Sequence, residues 1–175
     1  MTAYQRGDLQ AFDELFRLLS PRLYGWLVRQ ARDRTVADDL LQEVFLNIHR
    51  ARATYRPGAP VLAWAFAIAR HALVSRGRRE GRRAKREEPK ADLALLAGPV
   101  PEDPPVDPRA EKILAALEEL PANQREAVTL LKVEGMSVKE VAAATGATPG
   151  AVKLRAHRAY ETLRKKVGGS EEGPG

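Results

Sequence analysis

Three basic residues, Lys153, Arg155 and Arg158, lie within the first three turns of a helix predicted near the C-terminus. The opposite side of that helix is apolar, and the small residues Gly150 and Ala151 at its start allow close approach to a partner. An arginine in this setting makes a bidentate contact with guanine or binds a phosphate. The pattern predicts a helix that enters the major groove of DNA, with a solvated basic helix as the alternative.

A second helix, predicted from residue 60 onward, combines flat side chains with cations. Seven basic residues lie between positions 76 and 86. The outer face upstream carries Trp64, His71, Ser75 and Arg78. Rings that stack on bases, beside cations that bind the backbone, are typical of sites for single-stranded nucleic acid, and Tyr55 in the preceding loop would add a second ring. The alternative for Trp64 is a core position, because it lies four residues before Ile68.

A third helix, predicted over 36–50, presents an acidic stripe inside a basic region. The stripe consists of Asp39, Gln42, Glu43, Leu46 and Arg50. Its carboxylates would repel phosphate, so we expect the stripe to bind a basic or mixed protein surface, with Leu46 as an apolar anchor. The alternative is an ordinary solvated helix face.

The composition of the 175-residue chain argues against several kinds of chemistry. The chain has no cysteine, and its three histidines, His49, His71 and His157, are far apart in the sequence. We therefore expect no disulfide framework, no metal, no cofactor and no catalytic residue. No apolar run approaches the roughly 18 residues of a membrane span, and the first residues do not resemble a signal peptide, so the sequence predicts a cytoplasmic protein.

The net charge of +6 is divided unevenly along the chain. Residues 1–86 contain 17 basic and 8 acidic residues, and residues 108–166 contain 11 and 7. Between them, residues 87–107 contain one lysine against six acids. This pattern indicates two modules that face a polyanion, joined by an acidic connector, with a disordered tail at 167–175.

Helical periodicity runs through both basic blocks, so the sequence predicts an all-α fold of two small domains. In the first block, spacing and capping residues predict a four-helix bundle. One helix follows Asp8, a second begins at Ser20 and Pro21, a third is capped by Thr35, and a fourth follows Pro60. The connector is rich in proline and is expected to be a flexible linker without a fold of its own.

The second block carries the pattern of a helix-turn-helix domain. Ser137 and Glu140 form a capping box at the start of a short helix, and residues 145–147 form a glycine-containing turn. Thr148 with Pro149 then begins the long basic helix. A short helix, a tight turn and a basic helix in this order predict DNA binding.

Three stretches of the chain resemble bacterial RNA polymerase sigma factors of the extracytoplasmic-function group. They are DDLLQEVFLNIHR (38–50), AWAFAIARHALVSRGRR (63–79) and LPANQREAVTLLKVEGMSVKEVAAATGATPGAVKLRAHRAYETLR (120–164). The resemblance implies that the first domain, 1–86, is the sigma region 2 bundle and that 108–166 is the region 4 helix-turn-helix domain.

The same resemblance implies a role for each of the three surfaces. The acidic stripe matches the face that docks on the clamp helices of core polymerase. The loop 55–60 and the helix after it match the part that captures flipped bases of the −10 element and melts the duplex, which adds Arg56, Arg70 and Arg79 to the candidate contacts. Residues 148–158 match the helix that reads the −35 element.

We therefore predict a promoter-specificity subunit that is not itself an enzyme. It would bind core RNA polymerase and promoter DNA, double-stranded at −35 and single-stranded at −10, and the resemblance also implies an anti-sigma factor. The alternative is a stand-alone helix-turn-helix regulator whose first bundle dimerises or senses a ligand. A nucleic-acid enzyme is disfavoured because no paired carboxylates, nucleophile–base pair or metal set accompanies the basic surfaces.

Overall fold

The computed structural model describes residues 1–84 and 108–168, and all regular secondary structure in these ranges is helical. The first range contains α1 (Thr2–Gln5), α2 (Leu9–Ala31), α3 (Arg34–Ala51), a 3-10 turn (Arg52–Thr54) and α4 (Val61–Ala84). The second contains α5 (Pro108–Glu118), α6 (Ala122–Val128) with a π-helical turn after it (Thr129–Val133), α7 (Val138–Thr145) and α8 (Pro149–Gly168). The predicted all-α class is confirmed. The predicted linker and residues 169–175 of the predicted tail lie outside the described residues.

Helix α2 differs from its prediction. The sequence predicts two helices separated at Ser20 and Pro21, whereas one helix of 23 residues runs through both positions. Its buried residues are Leu15, Leu19, Leu23, Trp26 and Leu27. These residues form one uninterrupted stripe, so packing favours a continuous helix. Pro21 is exposed, and water can hydrate the carbonyl that loses its hydrogen bond to a proline. The first domain therefore has three long helices and the short α1 in place of four.

Most helix ends follow local capping signals. Asp8 caps α2 as predicted, because its side chain accepts hydrogen bonds from two backbone N–H groups of the first turn. Ser137 and Glu140 form the predicted capping box at α7, with Glu140 Oε2 at 2.7 Å from the Ser137 nitrogen. The prediction for α3 is wrong by two residues, since the cap is Asp33 and not Thr35.

The core of the first domain is formed by α2, α3 and α4. Trp26 of α2 and Phe66 of α4 meet edge to face, with ring centroids 5.7 Å apart and both side chains almost completely buried. Leu23, Leu40 and Ile48 are fully buried around them. This core orients the outward faces of α3 and α4 that carry the candidate binding residues.

The apolar core continues from the first domain into the second. Helix α4 contacts α2 and α3, and it also packs along α7 of the helix-turn-helix. The buried residues of α4 are Ala63, Ala65, Phe66, Ala69 and Ala72. The hydrophobic residues that α7 buries are Val141, Ala142 and Ala144. Most of these side chains are single methyl groups, which allows the backbones of two helices to approach closely. The two domains are therefore in direct contact, a feature that the sequence did not predict.

Candidate nucleic-acid and protein interfaces

Helix α8 keeps its cations on the surface and its apolar stripe in the core. Lys153 and Arg158 are exposed and Arg155 is half-buried. On the other side of the helix, Val152 and Ala159 are fully buried. Lys153 and Arg158 are thus accessible on the surface of α8, whereas Arg155 is partly covered.

The start of α8 is set by the turn before it. Gly146 ends α7 with φ of 66°, a left-handed conformation that glycine adopts without strain. Thr148 Oγ1 accepts a hydrogen bond from the backbone N–H of Ala151 at 3.2 Å, and Gly150 is exposed.

Leu154 was not predicted as part of this surface, yet it is 51% exposed and lies between Lys153 and Arg155 in the sequence. In the sequence, Leu154 does not fall on the spacing of the apolar stripe of α8, and this offset would have indicated an exposed position.

A groove of about 660 Å³ lies between α3 and α4. Candidate residues from both predicted surfaces line it, namely Glu43 and Arg50 of α3 and Trp64, His71, Ser75 and Arg79 of α4. Asn47 also lines the groove and was missed, although its spacing from Glu43 and Arg50 places it on the same side of α3. The groove brings together a ring, hydrogen-bonding groups and cations, which is the chemistry that binds an unpaired base.

Tyr55 is not the open stacking surface that the sequence predicts. Its side chain is 5% exposed and its hydroxyl donates a hydrogen bond to the carbonyl of Ala59 at 2.5 Å. The ring instead packs edge to face on Trp64, with centroids 5.3 Å apart. Gln5 of α1 holds this loop by donating to the carbonyls of Arg52 and Tyr55. The buried tyrosine therefore supports Trp64, which is partly exposed.

The acidic stripe is accessible, but it is not isolated from the cations of α4. Arg76 Nη1 lies 3.3 Å from Asp39 Oδ2, and Arg79 Nη2 lies 3.2 Å from Glu43 Oε2. The two carboxylate side chains remain 62% and 37% exposed, respectively. Each pair joins a candidate polymerase-binding residue of α3 to the basic end of α4. The other two polar members of the stripe, Gln42 and Arg50, are exposed as predicted.

The apolar part of this surface is larger than predicted. Leu46 is 57% exposed, and the neighbouring Phe45 packs on Phe16 of α2 with ring centroids 4.5 Å apart. Phe16 itself is 43% exposed, and Leu9 at the start of α2 is 75% exposed. Because Phe16 contacts Phe45, its exposed ring adds apolar area next to the stripe.

The remaining cations predicted to contact DNA have different environments. Arg56 and Arg78 are exposed. Arg70 is directed to the second domain, where its Nε donates to Glu126 Oε1 of α6 at 3.0 Å. Burial raises the pKa of the Glu126 carboxyl, and the charges of Arg70 and Arg155 partly oppose that rise. One arginine assigned to the −10 surface is thus bound within the protein.

We find neither a candidate metal site nor a candidate membrane span in residues 1–84 and 108–168. No cluster of three or more histidine, aspartate or glutamate side chains in these ranges could hold a metal ion. No helix in the same ranges is both long enough and apolar enough to span a membrane.

Comparison with known proteins identifies both domains. Residues 15–83 match the family model for Sigma-70 region 2, and residues 110–163 match that for Sigma-70, region 4. The RNA polymerase sigma factor CarQ of Myxococcus xanthus is 40% identical over 169 residues, which cover 96% of this chain and 95% of CarQ. The ECF RNA polymerase sigma factor SigF of Caulobacter vibrioides is 34% identical, with 92% of this chain and 88% of SigF covered.

The fold is similar to that of a solved complex. The sigma factor RpoE, in a co-crystal structure with the anti-sigma factor NepR from Bartonella quintana, superposes with a TM-score of 0.76 at 24% identity, covering 93% of this chain and 99% of that one. This similarity concerns the fold, and the family follows from the two family models and from the sequence matches over nearly the whole length. The chain belongs to the extracytoplasmic-function group of RNA polymerase sigma factors, which bind core polymerase and direct promoter-specific initiation of transcription.

Proposed function

We propose that three surfaces of this sigma factor divide the task of promoter recognition. The acidic stripe of α3 binds core polymerase, the groove between α3 and α4 binds unpaired bases of the −10 element, and the exposed face of α8 reads the −35 element. The groove is the observation that carries this proposal, because it gathers a ring, an imidazole, a hydroxyl and an arginine in one concave site.

In the groove, Trp64 provides the surface on which an extruded base stacks. His71 and Ser75 donate or accept hydrogen bonds at the base edge, and Arg78 and Arg79 bind the phosphates of the same strand. Stacking on an aromatic ring is worth about 1–3 kcal/mol per base. Extruding a base costs a few kcal/mol, so stacking combined with phosphate contacts is of the right size to hold the strands apart.

On α8, the three cations Lys153, Arg155 and Arg158 face the major groove of the −35 element. Arginine at such a position binds guanine through two hydrogen bonds, and lysine binds guanine or phosphate. The exposed Gly150 near the start of the helix lets its backbone N–H approach a phosphate, which the helix N-terminus favours electrostatically. The exposed Leu154 fits a thymine methyl group.

On α3, the acidic stripe and the neighbouring apolar area bind core polymerase. Asp39 and Glu43 supply negative charge for a basic partner, and Leu46 with Phe16 supplies apolar area. Charge complementarity at a surface of this kind sets the association rate and the choice of partner. We assign no catalytic reaction to the chain itself, since the polymerase carries out the chemistry.

We also infer that the protein acts in the cytoplasm, where polymerase and DNA meet, and that an anti-sigma factor regulates it. The second inference is supported by the similarity in fold to a sigma factor solved with an anti-sigma factor.

The role of the groove is tested by replacing Trp64 in run-off transcription with purified core polymerase. We expect Trp64→Ala to reduce initiation at a duplex promoter about tenfold, the equivalent of about 1.4 kcal/mol for one stacked base. Trp64→Phe keeps a ring and is the matched control, and a template with a pre-opened −10 region should restore most of the activity of Trp64→Ala. Full activity of Trp64→Ala on duplex DNA would contradict the proposal.

The same preparation separates this function from that of a stand-alone regulator. A sigma factor that acts in this way binds promoter DNA weakly alone and tightly with core polymerase. Tight and specific promoter binding by the isolated chain, unaffected by core polymerase, would favour the regulator.

A further inference from the structure

A short helix at the start of the chain contacts the loop that carries Tyr55. Helix α1 has only 4 residues, and two neighbouring side chains of it have different partners. Tyr4 is 3% exposed, its ring centroid lies 5.1 Å from that of Phe12, and its hydroxyl is 2.5 Å from Nδ1 of His49 on α3. Tyr4 therefore fixes α1 to α2 and α3, while Gln5 reaches the loop.

The Gln5 side chain binds the loop between α3 and α4 at two points. Its amide nitrogen is 2.7 Å from the carbonyl oxygen of Arg52 and 2.8 Å from that of Tyr55. An amide nitrogen carries two N–H groups, so both donors of Gln5 are used on this one loop. Tyr55 is the one buried residue between positions 53 and 60. The loop has little packing of its own and depends on these hydrogen bonds for its position.

The contacts continue from the loop to the candidate stacking residue. The Tyr55 ring meets the Trp64 ring edge to face at 5.3 Å, and the Tyr55 hydroxyl donates to the carbonyl of Ala59. Trp64 lies in the first turn of α4 and lines the groove, whereas Gln5 does not line it. A side chain that must be ordered during binding reduces the affinity, so a ring that is already held in place stacks a base more tightly.

We propose that Gln5 is a positioning residue for promoter opening, which holds the loop so that Tyr55 supports Trp64 in the orientation that stacks an extruded base. This inference rests on the proposed function for its effect on transcription, because that function assigns the stacking role to Trp64. The support of Trp64 by Gln5 depends only on contacts within the first domain, and it can be measured without DNA.

The first measurement is acrylamide quenching of tryptophan fluorescence in the full-length chain. Of the two tryptophans, Trp26 is completely buried, so quenching reports on Trp64. Gln5→Met keeps the approximate length of the side chain and removes both donors without adding charge. We expect stronger quenching in this variant, because Tyr55 no longer covers one side of Trp64. Tyr55→Phe loses only the hydroxyl that binds the far end of the loop, and it should change quenching in the same direction.

The matched control is Gln10→Met, which makes the same substitution at an exposed position of α2. It should leave quenching and transcription unchanged. Circular dichroism should show the same helix content in all variants. Continued protection of Trp26 from acrylamide provides a second check that the core is intact.

Run-off transcription with core polymerase on a duplex promoter gives the second measurement. We expect Gln5→Met to reduce initiation about fivefold. This is less than the loss of about tenfold expected for Trp64→Ala, because Gln5 acts through that ring. The double variant Gln5→Met/Trp64→Ala should therefore lose no more than Trp64→Ala alone, whereas independent effects would multiply to about fiftyfold. A template with a pre-opened −10 region should restore most of the activity of Gln5→Met.

The outcomes distinguish the positioning role from the proposed function. Unchanged quenching in both Gln5→Met and Tyr55→Phe would overturn the support of Trp64, whatever transcription gives. Normal transcription of Gln5→Met, where Trp64→Ala is impaired, would overturn the role in promoter opening, and so would a multiplied loss in the double variant. Normal transcription of Trp64→Ala would count against the proposed function, and quenching would still decide whether Gln5 holds the ring.

Discussion

Replacing Asp39 by Asn together with Glu43 by Gln should weaken the binding of core polymerase while the fold is retained. Both changes keep the size and shape of the side chain and remove one negative charge each. The two carboxylates are accessible on α3, so their charges are available to a basic partner. We expect a loss of about tenfold to a hundredfold in affinity, or about 1.4–2.8 kcal/mol.

The effect on folding should be smaller than the effect on binding. The double variant loses the ion pairs with Arg76 and Arg79, at 3.3 and 3.2 Å, but the carboxylate side chains are 62% and 37% exposed. Exposed ion pairs contribute about 0.2–1 kcal/mol each, so the free energy of unfolding should fall by less than about 2 kcal/mol. Urea denaturation followed by circular dichroism measures this change, and fluorescence anisotropy of the labelled chain measures affinity for core polymerase without DNA.

The control is Arg76→Gln combined with Arg79→Gln, which breaks the same two ion pairs and leaves the acidic stripe intact. Because it frees negative charge on α3, this variant should bind core polymerase as tightly as the unmodified chain or more tightly. The reasoning is refuted if Asp39→Asn/Glu43→Gln binds normally. It is also refuted if the arginine variant loses as much affinity, since the ion pairs and not the carboxylates would then be responsible.

Three further predictions concern the recognition of DNA by α8, the cap at the start of α7 and the packing of the first domain's core. Arg155→Ala or Arg158→Ala should each cost about 1–3 kcal/mol of −35 binding, concentrated at one base pair, and a loss spread evenly over a set of variant promoters would mark a phosphate contact instead. Ser137→Ala should lower the free energy of unfolding by about 1 kcal/mol in urea denaturation. Hydrogen bonds from Ser137 lower the pKa of the Glu140 carboxyl in the folded protein. The stability that this carboxylate contributes is therefore present above its unfolded pKa and is lost as the pH falls through its folded pKa. Glu140→Gln should abolish this part of the pH dependence of stability, and an unaltered pH profile would contradict the role given to the capping box. Phe66→Ala should destabilise the chain by about 3–5 kcal/mol in thermal unfolding, and a cost below about 1 kcal/mol would mean that the core around Trp26 is packed differently.

Most features that depend on neighbouring residues were predicted from the sequence, although the cap of α3 is Asp33 and not the predicted Thr35. The cap at Asp8, the capping box at Ser137 and the start of α8 at Thr148 each involve atoms within four residues of one another. The alternation of cations and apolar residues along α8 is equally local, so the burial of Val152 and Ala159 and the exposure of Lys153 and Arg158 follow it, while the exposed Leu154 and the half-buried Arg155 do not. The helix-turn-helix is therefore recognisable from its amino-acid sequence alone.

Features that depend on distant residues were not predictable in the same way. Ser20 and Pro21 carry a valid local signal for a helix start, but the buried stripe of α2 outweighs it once α3 and α4 pack against that side. Tyr55 has the composition of a stacking residue, and only the position of Trp64 shows that its ring is covered. Arg70 is chemically suited to DNA, yet its partner Glu126 is 56 positions away in the chain.

The alanine-rich buried face of α4 bears on the strength of the contact between the two domains. A side chain of one methyl group contributes about 0.8 kcal/mol per buried carbon, so a helix contact made largely of alanines stores little hydrophobic free energy for its length. Exposing it to water costs correspondingly less than exposing a contact made of leucine and phenylalanine. The contact between α4 and α7 therefore contributes less to the free energy of unfolding than a contact of the same length made of larger apolar side chains.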